Sequence, residues 1–156
     1  MSAPFELSVE RRIDAPPGEV WRIMTDRITE WWCPRPWTTT IADLDWRPGG
    51  AFHLVMRGPQ GEADCQGEDS VGGVLLEFVP GRRFVFTDAF SAGWIPQKPF
   101  MVGCFEIEPD GNGTIYRASA RHWDEEAMEE HKRMGFDEGW GAVADQLAAL
   151  AEKVGA

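Results

Sequence analysis

At 156 residues the chain has the length of one domain, by the usual span of roughly 100–200 residues per domain. A domain of this size needs no disulfide or metal to fold. Its 15 Lys and Arg against 26 Asp and Glu leave a net charge of −11, which repels phosphate backbones and anionic membranes and argues against nucleic-acid binding.

No run approaches the roughly 20 apolar residues of a membrane-spanning helix, and MSAPFELSVERR lacks the apolar stretch of a signal peptide. No membrane insertion is expected, and a cytoplasmic location is. The cysteines Cys33, Cys65 and Cys104 are odd in number and widely spaced, which fits reduced thiols rather than a disulfide framework or a zinc pair.

In chain order, FELSVERRI (5–13) alternates Phe5, Leu7 and Val9 with polar residues and predicts a half-buried strand. DAPPGEVWRIMTD predicts a short helix, with Asp14 as its cap and the prolines at its start. A second short helical piece over ITEWW should end at Pro34. Strands are predicted over 38–46, over 51–58 and around 62–71, with a hairpin at PQG between the last two. GGVLLEFVP, RRFVFTDAF, PFMVGCFEIEP and GTIYRASARHW continue the meander, and PDGNG is a hairpin turn.

From Asp124 the texture becomes helical. Met134, Trp140, Val143, Leu147, Leu150 and Val154 recur at spacings near three and four, as one stripe on a long C-terminal helix. Gly135, Gly139 and Gly141 predict a break or bend in its first part. The whole chain, 1–156, reads as a single α+β domain: two short helices after the first strand, then an antiparallel sheet of six or seven strands, curved around one helix.

Several stretches carry a family resemblance. VERRIDAPPGEVWRIMTD, WW at 31–32, RPGGAF at 47–52, VLLEFVPGRRFVFTD at 74–88, GNGT at 111–114 and EGW at 138–140 before LAALA resemble, in that order, the START-like helix-grip domains typified by the birch-pollen allergen (the SRPBCC superfamily). Within them the chain looks like the subgroup named after the activator of the ninety-kilodalton heat-shock chaperone's ATPase. WWCPRPWTT, FTDAF, RHW and HKRMGFDEGW are similar to a bacterial branch labelled polyketide cyclase-like. The resemblance implies a hydrophobic cavity between the sheet and the last helix. It does not imply a reaction, because such domains include ligand carriers, aromatase/cyclases and chaperone regulators.

Alternation places Tyr116, Ala118, Ala120 and His122 on the inner face, with Phe84, Phe86 and Asp88, and with Met101, Gly103, Phe105 and Ile107, and turns Ile115, Arg117, Ser119 and Arg121 toward water. The small Gly103, Ala118 and Ala120 should leave room for a cavity. Asp88 and His122 could form a proton-moving pair or satisfy each other at the rim, and Tyr116 could anchor a carbonyl or cap the cavity. His53 should lie on the exposed sheet surface. His131 should lie on a solvated helix face, unless the helix start folds over the pocket mouth toward His122. The histidine spacings match no metal motif, and no nucleotide fingerprint is present, so neither metal nor cofactor is expected. In WWCPRPW (31–37), Cys33 should be a buried, inert thiol, Trp32 a core residue against the helix, and Trp37 a pocket wall with Trp94.

The leading expectation is therefore a binder of a small hydrophobic or aromatic molecule, monomeric or homodimeric. Its ligand-contacting residues would be Trp32, Trp37, Phe86, Asp88, Trp94, Met101, Phe105, Tyr116, Ala118, His122, Phe136 and Trp140. One alternative is a cyclase or aromatase with Asp88, His122 and Tyr116 as its acid/base and anchoring groups. A chaperone-regulating partner role is a third reading, for which the sequence offers no exposed patch or partner domain.

Overall fold

The computed structural model describes residues 4–57 and 71–155. The strand expected around 62–71 lies outside them as far as residue 70, as do its PQG turn and Cys65.

Strand β1 (Glu6–Ile13) leads into helix α1 (Pro17–Asp26) and a single 3₁₀ turn at Ile28–Glu30. Strands β2 (Thr38–Leu44), β3 (Ala51–Arg57), β4 (Val71–Val79) and β5 (Arg83–Thr87) follow. A two-residue ribbon, β6 (Phe90–Ser91) with β7 (Ile95–Pro96), precedes the long hairpin of β8 (Met101–Asp110) and β9 (Gly113–His122). Helices α2 (Glu125–Arg133) and α3 (Phe136–Gly155) close the chain.

Among the described residues seven strands form one antiparallel sheet in the order β1-β9-β8-β5-β4-β3-β2. The first strand thus pairs with the last, so the sheet curls and its concave face closes over α3. This is the helix-grip architecture, α+β in class. The β8–β9 hairpin turns at Gly111, whose φ of +59° suits a residue without a Cβ, and Asp110 pairs with Gly113 across it.

Helix α1 begins differently from the sequence expectation. Pro16 occupies the N-cap, Pro17 follows within the first turn, and no side chain caps the helix. Proline there sacrifices only an N–H that the helix leaves unused. Asp14 instead donates its backbone N–H to Glu152 on α3, at 2.9 Å. The α2 start is capped by Asp124, whose carboxylate accepts the Ala127 N–H at 2.8 Å.

Of the three glycines expected to weaken the last helix, only Gly135 breaks it, with φ +94° between α2 and α3. Gly139 and Gly141 lie inside α3. The buried stripe of α3 contains Phe136, Val143, Ala144, Leu147 and Ala151, with Trp140 and Leu150 partly buried beside it. Met134 is not in this stripe: it caps the end of α2 and is 61% exposed. The side chain of Val154 lies outside those described.

The concave face is strongly aromatic. Phe52 stacks on Phe86 with ring centroids 4.5 Å apart, and Phe84 stacks on Phe105 at 5.0 Å. Gly103 is small for a reason other than cavity space: a Cβ there would fall 2.4 Å from the Phe86 ring, so the ring fills the room the glycine leaves. Ala118 and Ala120 are likewise buried in packing. On the outer face, Glu6 binds both Arg117 and Arg121. Ser119, expected to face water on that side, is buried, as is Cys104 opposite it in register.

Candidate functional site

Between the sheet and α3 the described residues enclose a cleft of about 1090 Å³. Its inner wall is aromatic: Trp32, Phe86, Phe105, Tyr116 and Trp140 line it, with Phe100 and Met101 from the start of β8. Trp140 from α3 lies nearly parallel to Phe105 at 5.6 Å, and Trp32 packs tilted against Phe105 at 5.2 Å. Polar residues also line the cleft, among them Gln97, Lys98 and Glu130.

The stretch WWCPRPW divides its labour otherwise than expected. Trp31 is the core residue, fully buried, with its indole N–H donated to the Ile23 carbonyl at 3.0 Å. Trp32 turns to the cleft. Trp37 is half-buried and donates its backbone N–H to Pro34, away from the cleft lining. Trp94 is 57% exposed, packs on Phe90 and lies over Gly49, again off the cleft.

The segment is held from α3 by a single side chain. Gln146 donates its amide to the carbonyls of Trp31 (3.3 Å) and Cys33 (2.9 Å) and accepts the Arg35 N–H at 2.9 Å. Gln146 escaped the sequence reading because it is polar; its position three residues after Val143 and four before Leu150, on the edge of the stripe, was the available signal. Cys33 is buried, with its sulfur 3.3 Å from the Thr39 hydroxyl. Burial pushes its thiol up, the Thr39 bond only partly offsetting this, which makes it a poor nucleophile.

Asp88 and His122 do not form the expected pair. The Asp88 carboxylate accepts two backbone N–H groups at the start of β8, from Phe100 at 2.8 Å and Met101 at 3.2 Å. Burial raises its pKa, and these bonds and the nearby His122 act against that rise. Asp88 therefore pins the loop before β8 while lining the cleft.

His122 has both ring nitrogens engaged, Nδ1 with the Phe5 carbonyl at 2.8 Å and Nε2 with His131 Nδ1 at 2.9 Å. His131 is thus not on a solvated face. Helix α2 packs against β9, and its last turn buries His131, 7% exposed, among Phe100, Phe136, Trp140 and His122. Burial, and secondarily the neighbouring His122, push the His131 pKa down to about 4. The charged run EEHKR hid this residue; its i, i+4 relation to Ala127 and i, i+3 relation to Met128 was the periodic clue.

Tyr116 is 1% exposed, yet it lines the cleft, and burial holds its hydroxyl above the usual phenol range. His53, expected on the exposed sheet surface, is half-buried beside Gly72 and lines the cleft. Ala118, His122 and Phe136 are buried behind the lining rather than in it. Among the described residues no set of His, Cys, Asp and Glu side chains groups as metal ligands. No helix among them is long and apolar enough to cross a membrane.

The architecture has well-matched counterparts. The NE0264 protein of Nitrosomonas europaea is 32% identical and superposes with a TM-score of 0.88 over 98% of this chain and 97% of that one. The AHSA1 protein of Silicibacter pomeroyi is 22% identical, with a TM-score of 0.66 over 92% and 95%, and is similar in fold. CalU16 of Micromonospora echinospora is 26% identical, with a TM-score of 0.60 over 93% of this chain and 73% of that one. Among curated proteins none matches. The family model described as Activator of Hsp90 ATPase homolog 1-like protein matches residues 14–152, nearly the whole domain from the turn before α1 to the last turns of α3, and the chain belongs to that family.

Proposed function

We propose that this protein binds a small hydrophobic, aromatic molecule in the cleft between the concave sheet and α3. The observation that carries this reading is the wall of Trp32, Phe86, Phe105 and Trp140 around a cleft of about 1090 Å³. Ligand sites are typically concave and apolar, on the order of 300–1,000 Å³, with a few polar groups for orientation. Flat rings suit a flat ligand, because offset stacking adds to the area buried. Polar groups beside the aromatic wall include the Tyr116 hydroxyl, the Asp88 carboxylate and the His131 ring.

The reading favours binding because the Asp88–His122 pair that the proton-transfer alternative calls for is not formed: Asp88 accepts two backbone amides on one oxygen, and His122 is engaged by the Phe5 carbonyl and by His131. The test is titration of the isotope-labelled protein with naphthalene-sized aromatic compounds, followed by amide chemical shifts. Saturable changes should cluster on β5, β8, β9 and α3 around the cleft. Changes scattered over the outer sheet face, or no saturable binding of any apolar aromatic, would overturn the proposal.

A further inference from the structure

The two linked histidines fix which hydrogen-bonding partner the cleft can accept. The Phe5 carbonyl only accepts, so the Nδ1 of His122 that faces it at 2.8 Å carries a proton. In the neutral ring His122 Nε2 is then bare, and His131 Nδ1 must donate to it across 2.9 Å. A neutral His131 protonated at Nδ1 has a bare Nε2. That nitrogen has no hydrogen-bond partner among the described residues. No side-chain nitrogen or oxygen that is fully shut off from solvent there lacks one, so Nε2 is open to the cleft that His131 lines.

We propose that the ligand is an aromatic compound bearing a hydroxyl or N–H donor, and that His131 Nε2 accepts this hydrogen. This rests on the cleft being a small-molecule site and adds the ligand's chemical class. The chain runs in one direction, from ligand donor to His131, from His131 to His122, and from His122 to the Phe5 carbonyl. Phe100, Phe136 and Trp140, with ring centroids 5.1, 5.1 and 5.7 Å from the His131 ring, hold it in place. An ether or ketone oxygen placed at the same point would set lone pair against lone pair, so the site discriminates between an alcohol and its ether.

The experiment uses the full chain at about pH 8, above the imidazole range. It compares 2-naphthol with 2-methoxynaphthalene by isothermal calorimetry or tryptophan quenching. The naphthol should bind roughly tenfold tighter, the effect of one added hydrogen bond. His131→Leu should abolish that preference while keeping the affinity for the ether. Equal affinities in the unaltered protein would overturn the donor requirement and leave the cleft reading standing. Failure of both compounds to bind saturably would remove the cleft reading and the proposal together. If His131→Leu weakens both alike, the ring is only a wall and the proposal fails.

A ligand-free measurement decides the same point independently. A long-range proton–nitrogen correlation spectrum should give both histidines as Nδ1–H tautomers. An Nε2–H tautomer at His131 would overturn the proposal whatever the affinities.

Discussion

Gln146 Nε2 on α3 donates to the Cys33 carbonyl at 2.9 Å, joining residues 113 positions apart. With its bonds to Trp31 and Arg35, this one amide holds an irregular segment that no strand or helix organises. Replacing Gln146 by Leu would leave two carbonyls and one N–H without a protein partner. A loss of about 1–3 kcal/mol in urea unfolding is expected. A change within the scatter of ordinary surface substitutions would mean that packing of Trp31 alone fixes the segment.

Leu147, one residue further on, is fully buried in the core cluster. Leu147→Ala should cost about 2–5 kcal/mol, as a transfer loss plus a residual cavity. The urea midpoint should fall at nearly constant slope. A small loss would indicate that α3 closes into the vacated space.

For Cys33, burial that raises the thiol pKa predicts sluggish alkylation. Peptide mapping after iodoacetamide treatment should show a rate at Cys33 that climbs with pH through and beyond the ordinary thiol range near 8.5. Rapid labelling that is flat down to about pH 6 would reverse this reading.

His131 makes stability depend on pH in a defined sense. Its folded pKa of about 4 lies below the ordinary value of 6.5, so between these limits the unfolded chain binds the extra proton. The contribution is complete above about 6.5 and is lost as pH falls through the window, up to about 3 kcal/mol in all. Asp88, shifted upward by burial, acts in the opposite sense at the acidic end. Unfolding curves of the protein and of His131→Phe should therefore diverge in slope between about pH 4 and 6.5. Identical pH dependence of the two proteins would show that His131 does not stay neutral.

Much of this fold was legible along the chain because it depends on period. Alternation in GTIYRASARHW put Tyr116, Ala118, Ala120 and His122 on the buried face, where they lie, and the spacing of Val143 and Leu147 put them against the sheet. The same alternation put Ser119 in water, where it is not, since period assigns a side but not what covers that side. The exchange of roles between Trp31 and Trp32 was similarly invisible. Two adjacent tryptophans outside a regular element have no periodic phase, and the Ile23 carbonyl that captures Trp31 comes from another helix.

The site shows the same division more sharply. Local propensity and repeat suffice to read which strand faces are buried, how aromatic the concave face is and which helix closes it. Period says nothing of the polar pairings: Asp88 serves backbone amides, His122 meets His131 rather than Asp88, and Gln146 clamps Trp31, Cys33 and Arg35. A polar side chain chooses its partner by distance and direction within about 3 Å. Such partners come from different elements, from nine residues apart for His122 and His131 to 113 for Gln146 and Cys33, and only folding brings them together.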